Sequence, residues 1–239
     1  MTSEGKMDWQ NALTDKNAMF MVDDEGNAVA DEMFLNFWWS EDELADEELL
    51  KASKEKAEEL GISPYDLYAG IDVQADGYFT PARWDLFESG ENTTNTSLGL
   101  YCPSWAYSSS STQDDFHKKE NTLWVNSKGD PSEEITYSSN EQWRGVSTYA
   151  VEKTALSFVT NFATGSGYSF FREGEQISKM DWNNRSVGDI LPTYRWMIEN
   201  EGENALDARF DVAEAWYGGT SLKLYGKMEK DKVSKIQMY

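Results

Sequence analysis

Met33-Phe-Leu-Asn-Phe-Trp-Trp39 and, after a long charged segment, Leu67-Tyr-Ala-Gly-Ile-Asp-Val-Gln-Ala-Asp76 are the two runs whose reading decides the fold. The first is apolar and aromatic apart from Asn36, and the second is apolar up to Asp72. Continuous rather than alternating hydrophobicity is the pattern of a parallel sheet covered on both faces. The segment between Ser40 and Leu60 supplies the crossover helix. Ser40 is its candidate N-cap, with Glu43 three residues on as a capping box; acids crowd its first turn, and Gly61 followed by Pro64 ends it. Strand, helix, strand in this order is a right-handed βαβ unit and predicts an α/β fold.

Asn36 and Asp72 stand out because each interrupts an apolar run near its C-terminal end, where α/β folds place ligand sites. The plainer reading is that each satisfies the backbone of a neighbouring loop. Aromatics gather at the same ends, Trp38 and Trp39 after the first strand and Tyr78 and Trp84 after the second. A polar group ringed by aromatic faces suits a sugar, whose hydroxyls need hydrogen bonds and whose C–H faces pack on rings.

The 239 residues carry 43 acids against 21 Lys and Arg, a formal charge of −22, with no basic cluster for phosphate, which argues against nucleic acid. Ten Trp and twelve Tyr favour a carbohydrate-handling surface, although many must serve the core. Cys102 is alone, so neither an intrachain disulfide nor a Cys-based metal site is expected. His117, the single histidine, falls in a polar helical stretch and reads as a solvated surface residue. No run of eighteen or more apolar residues spans a membrane. Met1 leads into polar Thr-Ser-Glu-Gly-Lys6 rather than the apolar core of a signal peptide.

In chain order, residues 9–17 read as a short helix and 23–27 as a turn. After the βαβ unit come a loop with a short helix over 81–87, a third strand over 96–103, a serine-rich connection and a helix over 114–125. A fourth strand, Phe158-Val-Thr-Asn-Phe162, runs into Gly165-Ser-Gly167, which reads as a tight turn because it lacks the followers of a phosphate loop. Residues 168–198 are aromatic and irregular. From Leu206 the alternation, punctuated by Gly218-Gly219, suits an antiparallel sandwich. Few strands remain for a freestanding sheet, so both ends look cut.

Trp9-Gln-Asn-Ala-Leu-Thr14, the run from Met33 to Trp39, Tyr68-Ala-Gly-Ile-Asp-Val-Gln74, Gly99-Leu-Tyr-Cys-Pro-Ser-Trp105, Phe158-Val-Thr-Asn-Phe162 and Ala215-Trp-Tyr-Gly-Gly-Thr-Ser-Leu222 together resemble the endo-β-N-acetylglucosaminidases of glycoside hydrolase family 85. The resemblance covers essentially the whole chain in the same order. It implies an α/β fold comprising the C-terminal half of a (β/α)8 TIM barrel, with its last four strands over 1–165, a connector over 166–205 and the start of a β-sandwich over 206–239. It implies an enzyme that acts on asparagine-linked glycans, of high-mannose type or trimmed core, cutting between the two core GlcNAc residues. It also implies a retaining mechanism in which the substrate's 2-acetamido oxygen forms an oxazolinium intermediate. Relatives of bacterial type are secreted or cell-surface and those of eukaryotic type cytosolic. No cofactor or metal is implied.

The family's general-acid Glu and the Asn that orients the acetamide stand in an Asn-x-Glu motif. No Asn of this chain is followed two places later by Glu. The expectation is therefore that the catalytic pair lies upstream of Met1 and that this chain by itself is inactive. Non-catalytic glycan binding and a purely structural half-barrel are the alternatives. By matching positions, Trp9, Phe37 and Trp38 look like aromatic walls around the core sugars, and Asn36, Asp72 and Gln74 like polar contacts. Trp105 and Asn161 hold equivalent strand-end places. Phe37 and Trp38 can both face the sugars only if the strand ends before them, because neighbouring strand residues point to opposite sides.

Overall fold

A computed structural model describes residues 4–8, 10–40, 48–87, 96–129, 135–139, 142–146, 159–189 and 196–238. The chain divides into two compact units, Met1–Ser108 with Tyr137–Trp143, and Ser109–Thr136 with Arg144–Tyr239.

The first unit is built on three parallel strands, β1 (Met33–Leu35), β2 (Leu67–Ile71) and β3 (Ser97–Leu100), hydrogen-bonded in sequence order. Register pairs Leu35 with Ala69 and Ala69 with Leu98, and pairs Gly70 with Gly99. The expected βαβ unit is therefore present. Its helix α1 (Leu49–Leu60) buries Leu50, Ser53 and Ala57. Gly61 ends it at φ 74°, its N–H bonding back to Ala57 and Glu58, the left-handed cap that glycine adopts without strain. The start of the described helix differs from expectation, with Glu48 rather than Ser40 at its N-cap. Ser40 instead closes a 3-10 turn, Trp38–Ser40, and Glu43 lies outside the described residues.

Strand β1 is shorter than its apolar run. The Asn36 side-chain carbonyl accepts the Phe37 N–H at 2.9 Å, and this local bond competes with continuation of the ladder. Trp39 then turns under the sheet, 1% exposed, and its indole donates to the Gly70 carbonyl at 2.8 Å.

The two sheet faces differ. One carries the buried Leu35, Leu67, Ala69 and Ile71. The other carries Phe34, whose ring lies over Gly70 and Gly99, so that a Cβ at either glycine would sit 2.6 or 2.5 Å from it. Phe34 is 47% exposed, and the expected cover on both faces is not found in the described chain. Around the sheet, Met21 and Leu13 are buried, Asp23 caps the predicted turn at 23–27 by accepting the Asn27 N–H, and Trp84 packs edge-on against Trp143 at 5.0 Å. The expected helix over 9–17 is not found: Trp9 is outside the described residues, and the described turn of helix is a 3-10 segment, Ala18–Phe20.

Short helices α2 (Val73–Asp76) and α3 (Trp105–Ser108) follow β2 and β3. The second unit begins with α4 (Gln113–Trp124), within a residue of the expected helix and capped by Thr112, which accepts from the Asp115 N–H at 3.1 Å. Beyond it the strands are β4 (Ser166–Gly167), β5 (Phe170–Arg172), β6 (Glu175–Ser178), β7 (Trp182–Asn183), β8 (Trp196–Asn200), β9 (Ala205–Asp211), β10 (Tyr217–Gly218), β11 (Ser221–Lys227) and β12 (Ser234–Met238). They pair antiparallel as β10-β5-β6, β11-β9, β12-β8 and β4-β7. Glu173 and Gly174, both at positive φ, make the two-residue hairpin between β5 and β6. Two expectations change here. Of the fourth parallel strand, Phe158 lies outside the described residues and the described part, Val159 onward to Phe162, forms no strand. The Gly165-Ser-Gly167 segment is a bend at Gly165, φ 82°, leading into β4 rather than only a turn. No helix among the described residues is long and apolar enough to cross a membrane.

Candidate functional site

The C-terminal ends of β1, β2 and β3 gather Asn36, Phe37, Trp38, Asp72, Gln74, Tyr101 and Trp105 within the first unit. Because β1 ends at Leu35, the alternation rule no longer binds Phe37 and Trp38. Phe37 packs on the Tyr101 ring at 5.5 Å and edge-on to Phe34 at 5.9 Å, while Trp38 is 41% exposed. Tyr101 follows β3, its N–H bonded to the Ile71 carbonyl at 2.9 Å, and is itself 43% exposed. Phe37 and Tyr101 thus make a continuous aromatic surface across the ends of three strands. Tyr101 lies within a recognised motif but sequence reasoning did not select it; its position just past an apolar run, the criterion used for Asn36, would have found it.

The two polar interruptions behave differently. Asp72 is the N-cap of α2, its Oδ1 accepting the Ala75 N–H at 3.3 Å, and the Thr80 hydroxyl donates to its backbone carbonyl at 2.9 Å. This is the loop-satisfying role that the plainer reading assigns, and it uses one carboxylate oxygen. Asn36 is otherwise. Its Oδ1 is fixed by the Phe37 N–H, and its buried Nδ2 has no hydrogen-bond partner among the described residues. Buried donors are rarely left so, and this one belongs to the strand end where a ligand would bind. Gln74 is exposed on α2.

Trp105, half-buried at the start of α3, lies over Gly77, where an added Cβ would fall 2.4 Å from the ring. Gly77 holds φ 61° and ψ −131°, a conformation open to glycine, so the seat for the indole depends on that residue. Trp9 lies outside the described residues. Asn161 belongs to the second unit, where its backbone N–H donates to the Asp189 carboxylate; the same carboxylate takes the Thr160 hydroxyl at 3.0 Å and the Ala163 N–H at 3.3 Å.

His117 corrects a sequence expectation. It is not a solvated surface residue but sits between Gln113 and Ser166, 3.2 Å and 3.5 Å from its Nε2 and Nδ1, with the Tyr168 ring 5.0 Å away. Burial lowers its pKa, against the pull of Asp114 and Asp181. The Gln113 amide also reaches the carbonyls of Gly167 and Trp182 at 3.2 and 3.3 Å, so Gln113 and His117 together clasp the β4–β7 pair. Next to them the Tyr168 phenol, desolvated and bonded to Asp114, is pushed up to about 12. This is a structural cluster; none of the expected sugar contacts lies in it.

Chemically, the strand ends offer aromatic faces, a free amide donor and a half-committed carboxylate. That set can hold a polyhydroxylated ring.

Comparison with known proteins bears on the same residues. The chain is 27% identical over 240 residues to cytosolic endo-beta-N-acetylglucosaminidase 1 of Arabidopsis thaliana, covering 97% of the chain and 30% of that protein. It is 27% identical over 229 residues to the cytosolic endo-beta-N-acetylglucosaminidase of Danio rerio, covering 93% of the chain and 27% of that protein. Among solved structures, the glycoside hydrolase domain of Endo-D from Streptococcus pneumoniae R6 superposes with a TM-score of 0.68 at 30% identity, covering 96% of this chain and 36% of that one. The chain therefore spans about a third of the length of these relatives. The family model for glycosyl hydrolase family 85 matches residues 1–170, which takes in β1–β3 and every expected sugar contact, and the chain belongs to that family.

Proposed function

We propose that this chain supplies the sugar-holding, C-terminal half of a (β/α)8 barrel and the start of the β-sandwich after it, in an endo-β-N-acetylglucosaminidase that cuts the GlcNAc-β-1,4-GlcNAc bond of the N-glycan core. One observation carries the reading: three consecutive parallel strands lie in sequence order, and Asn36, Phe37, Trp38, Asp72 and Trp105 all follow their C-terminal ends, the face on which barrel enzymes build their sites. The family match ends at residue 170, which supports a barrel portion over 1–165, a connector over 166–205 and the sandwich from 206. The sheet face bearing Phe34, Gly70 and Gly99 is then the barrel interior, and the other strands of the barrel would cover it.

In this reading the labour is divided. The reaction is substrate-assisted: the 2-acetamido oxygen attacks the anomeric carbon, and a Glu upstream of Met1 protonates the leaving oxygen and later activates water. An Asn two residues before that Glu orients the acetamide. Trp38, Phe37 and Tyr101 supply faces on which the core sugars stack; Asn36 and Asp72 fix hydroxyls as donor and acceptor; Gln74, Trp105 and, by resemblance, Trp9 complete the lining. N-linked glycans are the partners, whether high-mannose or trimmed to the core.

The test compares the purified chain with the same chain joined behind the upstream barrel half of a relative, on a glycoprotein carrying high-mannose and trimmed-core glycans. Mass spectrometry should show the joined protein releasing a glycan that ends in one GlcNAc, and the chain alone releasing nothing. Release by the chain alone would refute the placement of the catalytic pair outside it. If the joined protein neither binds nor cleaves, the family fold is present without the family activity.

A further inference from the structure

We propose that His117 is the sensor of a pH-operated latch on segment 160–163: the neutral imidazole completes a clasp on the β4–β7 pair, a file of hydroxyls carries that hold to the Phe162 carbonyl, and protonation of the ring opens both. All of these residues lie in the second unit, and the inference stands apart from the proposed function.

The state of the ring follows from Gln113. Its side-chain end lies 3.2 Å from the Gly167 carbonyl and 3.3 Å from the Trp182 carbonyl, and two carbonyls can be met only by the amide nitrogen. The same nitrogen lies 3.2 Å from His117 Nε2, which must therefore accept, leaving the ring proton on Nδ1. A proton added at Nε2 sets N–H against N–H. Turning the amide so that its oxygen meets Nε2 sets that oxygen against both carbonyls instead. Either way the clasp is lost, and α4 is freed from the β4–β7 pair.

From Nδ1 the hold passes through buried hydroxyls. Ser166 Oγ lies 3.5 Å from Nδ1 and 3.4 Å from Thr164 Oγ1, which is 3.3 Å from Thr220 Oγ1. The Thr220 hydroxyl donates to the Phe162 carbonyl at 2.7 Å and accepts the Thr164 N–H at 2.9 Å. Ser166 belongs to β4, so loosening the clasp disturbs the file at its first member. Phe162 stands at φ 56°, strained for an aromatic residue, and its backbone has a less strained state to relax toward when Thr220 lets go. Thr160, Asn161 and Ala163 stay tied to the Asp189 carboxylate, so the segment swings rather than unfolds.

The groups facing the ring are Asp114 on α4, Asp181 before β7 and Tyr168 after β4; Glu120, one turn along α4, is paired with Arg185 at 3.3 Å. The Tyr168 phenol, pushed up to about 12, stays protonated and cannot be the sensor. Asp114 and Asp181 favour the imidazolium, but burial outweighs them and lowers the ring's pKa. The latch is therefore closed near neutrality and opens as pH falls below the ordinary histidine value of 6.5.

Nitrogen-15 NMR of the 239-residue chain with labelled histidine reads the sensor directly, because His117 is the single histidine. At about pH 7.5 the neutral ring should carry its proton on Nδ1. A proton on Nε2 overturns the proposal. Hydrogen exchange from about pH 7.5 to 5.5, corrected for intrinsic rates, reads the latch. Its two reporters are the Asn184 amide, bonded to the Gly165 carbonyl at 2.7 Å, and the Thr164 amide. Both should lose protection several-fold, with about tenfold the ceiling set by an open-state histidine of ordinary pKa. His117→Gln should abolish the response at both; an equal response in that variant assigns it to Glu120 or another carboxylate and sinks the sensor. Ser166→Ala should keep the response at Asn184 and lose it at Thr164, and a Thr164 amide that still responds refutes the path through the hydroxyls. If His117→Gln does not fold, the wild-type tautomer and the Ser166→Ala comparison still decide.

Discussion

Replacing Trp39 by Phe should destabilise the first unit by about 2–4 kcal/mol, whereas the same change at Trp38 should leave its stability nearly unaltered. Trp39 is 1% exposed, donates its indole N–H to Gly70 at 2.8 Å and packs edge-on against Phe87 at 5.3 Å. Removing a donor from a buried carbonyl costs about 1–3 kcal/mol. The smaller ring leaves a void worth about 1 kcal/mol more. Trp38 is 41% exposed, so much less of its ring is buried. Urea denaturation at low micromolar concentration, followed by near-ultraviolet dichroism, reads the difference. With a slope of about 2 kcal/mol per molar, the Trp39→Phe midpoint should fall by roughly 1–2 M. Hydrogen exchange at Leu35 and Gly70 should quicken with it, because the indole bond ties the turn after β1 to the middle of β2. A midpoint lowered by less than about 0.3 M would refute the reasoning, since it would mean that the bond to Gly70 contributes nothing net.

In the joined protein that tests the proposed function, Trp38→Ala and Asp72→Ala should lower kcat/KM more than Trp124→Ala, whose ring stacks under Arg185 at 4.5 Å in the second unit; equal losses would show that the strand-end assignment is wrong. Asp72→Asn keeps an acceptor for the Ala75 N–H, so a loss of activity without loss of stability in that variant separates sugar contact from helix capping. The clasp at His117 should make the second unit less stable as pH falls. Burial lowers the histidine's pKa, so the unfolded chain takes up the proton first, and stability present above about 6.5 is lost from there down to the folded value. The charged groups facing it, Asp114 and Asp181, moderate this, and the Tyr168 phenol stays neutral throughout. Glu120, whose pKa burial raises, trends the opposite way, so the measurement is the difference between wild type and His117→Gln in urea midpoint from about pH 7.5 to 5.5; parallel curves would discard the clasp. Light scattering of the chain alone should show association that grows with concentration, because among the described residues β1 and β3 each pair on a single side and Phe34 is half open; a monomer at all concentrations would mean that this sheet needs no cover.

The parallel sheet was legible because its signal is strong and local. Met33 onward and Leu67 onward are too continuously apolar for surface strands, and Gly61 with Pro64 can only stop a helix. What the sequence could not show was where a strand stops. Asn36 ends β1 three residues into a seven-residue run, and it does so through a side-chain bond to the next N–H, a competition that hydrophobicity does not register. His117 was misread for a related reason: polar neighbours along α4 suggested solvent, yet Gln113 and His117 share one helical face that meets β4 and β7, a partner nearly fifty residues away. The hairpin at Glu173-Gly174 was missed because Glu-Gly is a weaker turn signal than Asn-Gly, although the glycine marked it. Of the candidate site, the residues came from resemblance and their physical roles from the structure. Asp72 proved to be a cap, Asn36 a buried donor without a partner among the described residues, and Tyr101 a half-exposed ring that the sequence reading left out.

The contrast between Asn36 and Asp72 bears on how the proposed site would hold a sugar. A sugar hydroxyl both donates and accepts, and it is best held between one group of each kind. The Phe37 N–H can bond only an acceptor, so the Asn36 amide is oriented with its oxygen inward along the backbone and its nitrogen left as a donor. An Asp at position 36 would satisfy the same N–H but present a second acceptor, and a Leu would satisfy neither. Asp72 supplies the complementary acceptor, its carboxylate fixed at one oxygen by the Ala75 N–H and unable to swing away. Both residues therefore use one half of a polar group to end a strand or start a helix, and the other half is what the proposed site would offer a sugar hydroxyl. The same economy applies to the rings: Trp39 anchors the turn from below, and by doing so leaves Trp38 on the open side. Structural and binding roles at the strand ends are thus opposite ends of the same side chains, or adjacent residues of one turn, and a substitution that keeps only one of the two roles would show which half it removed.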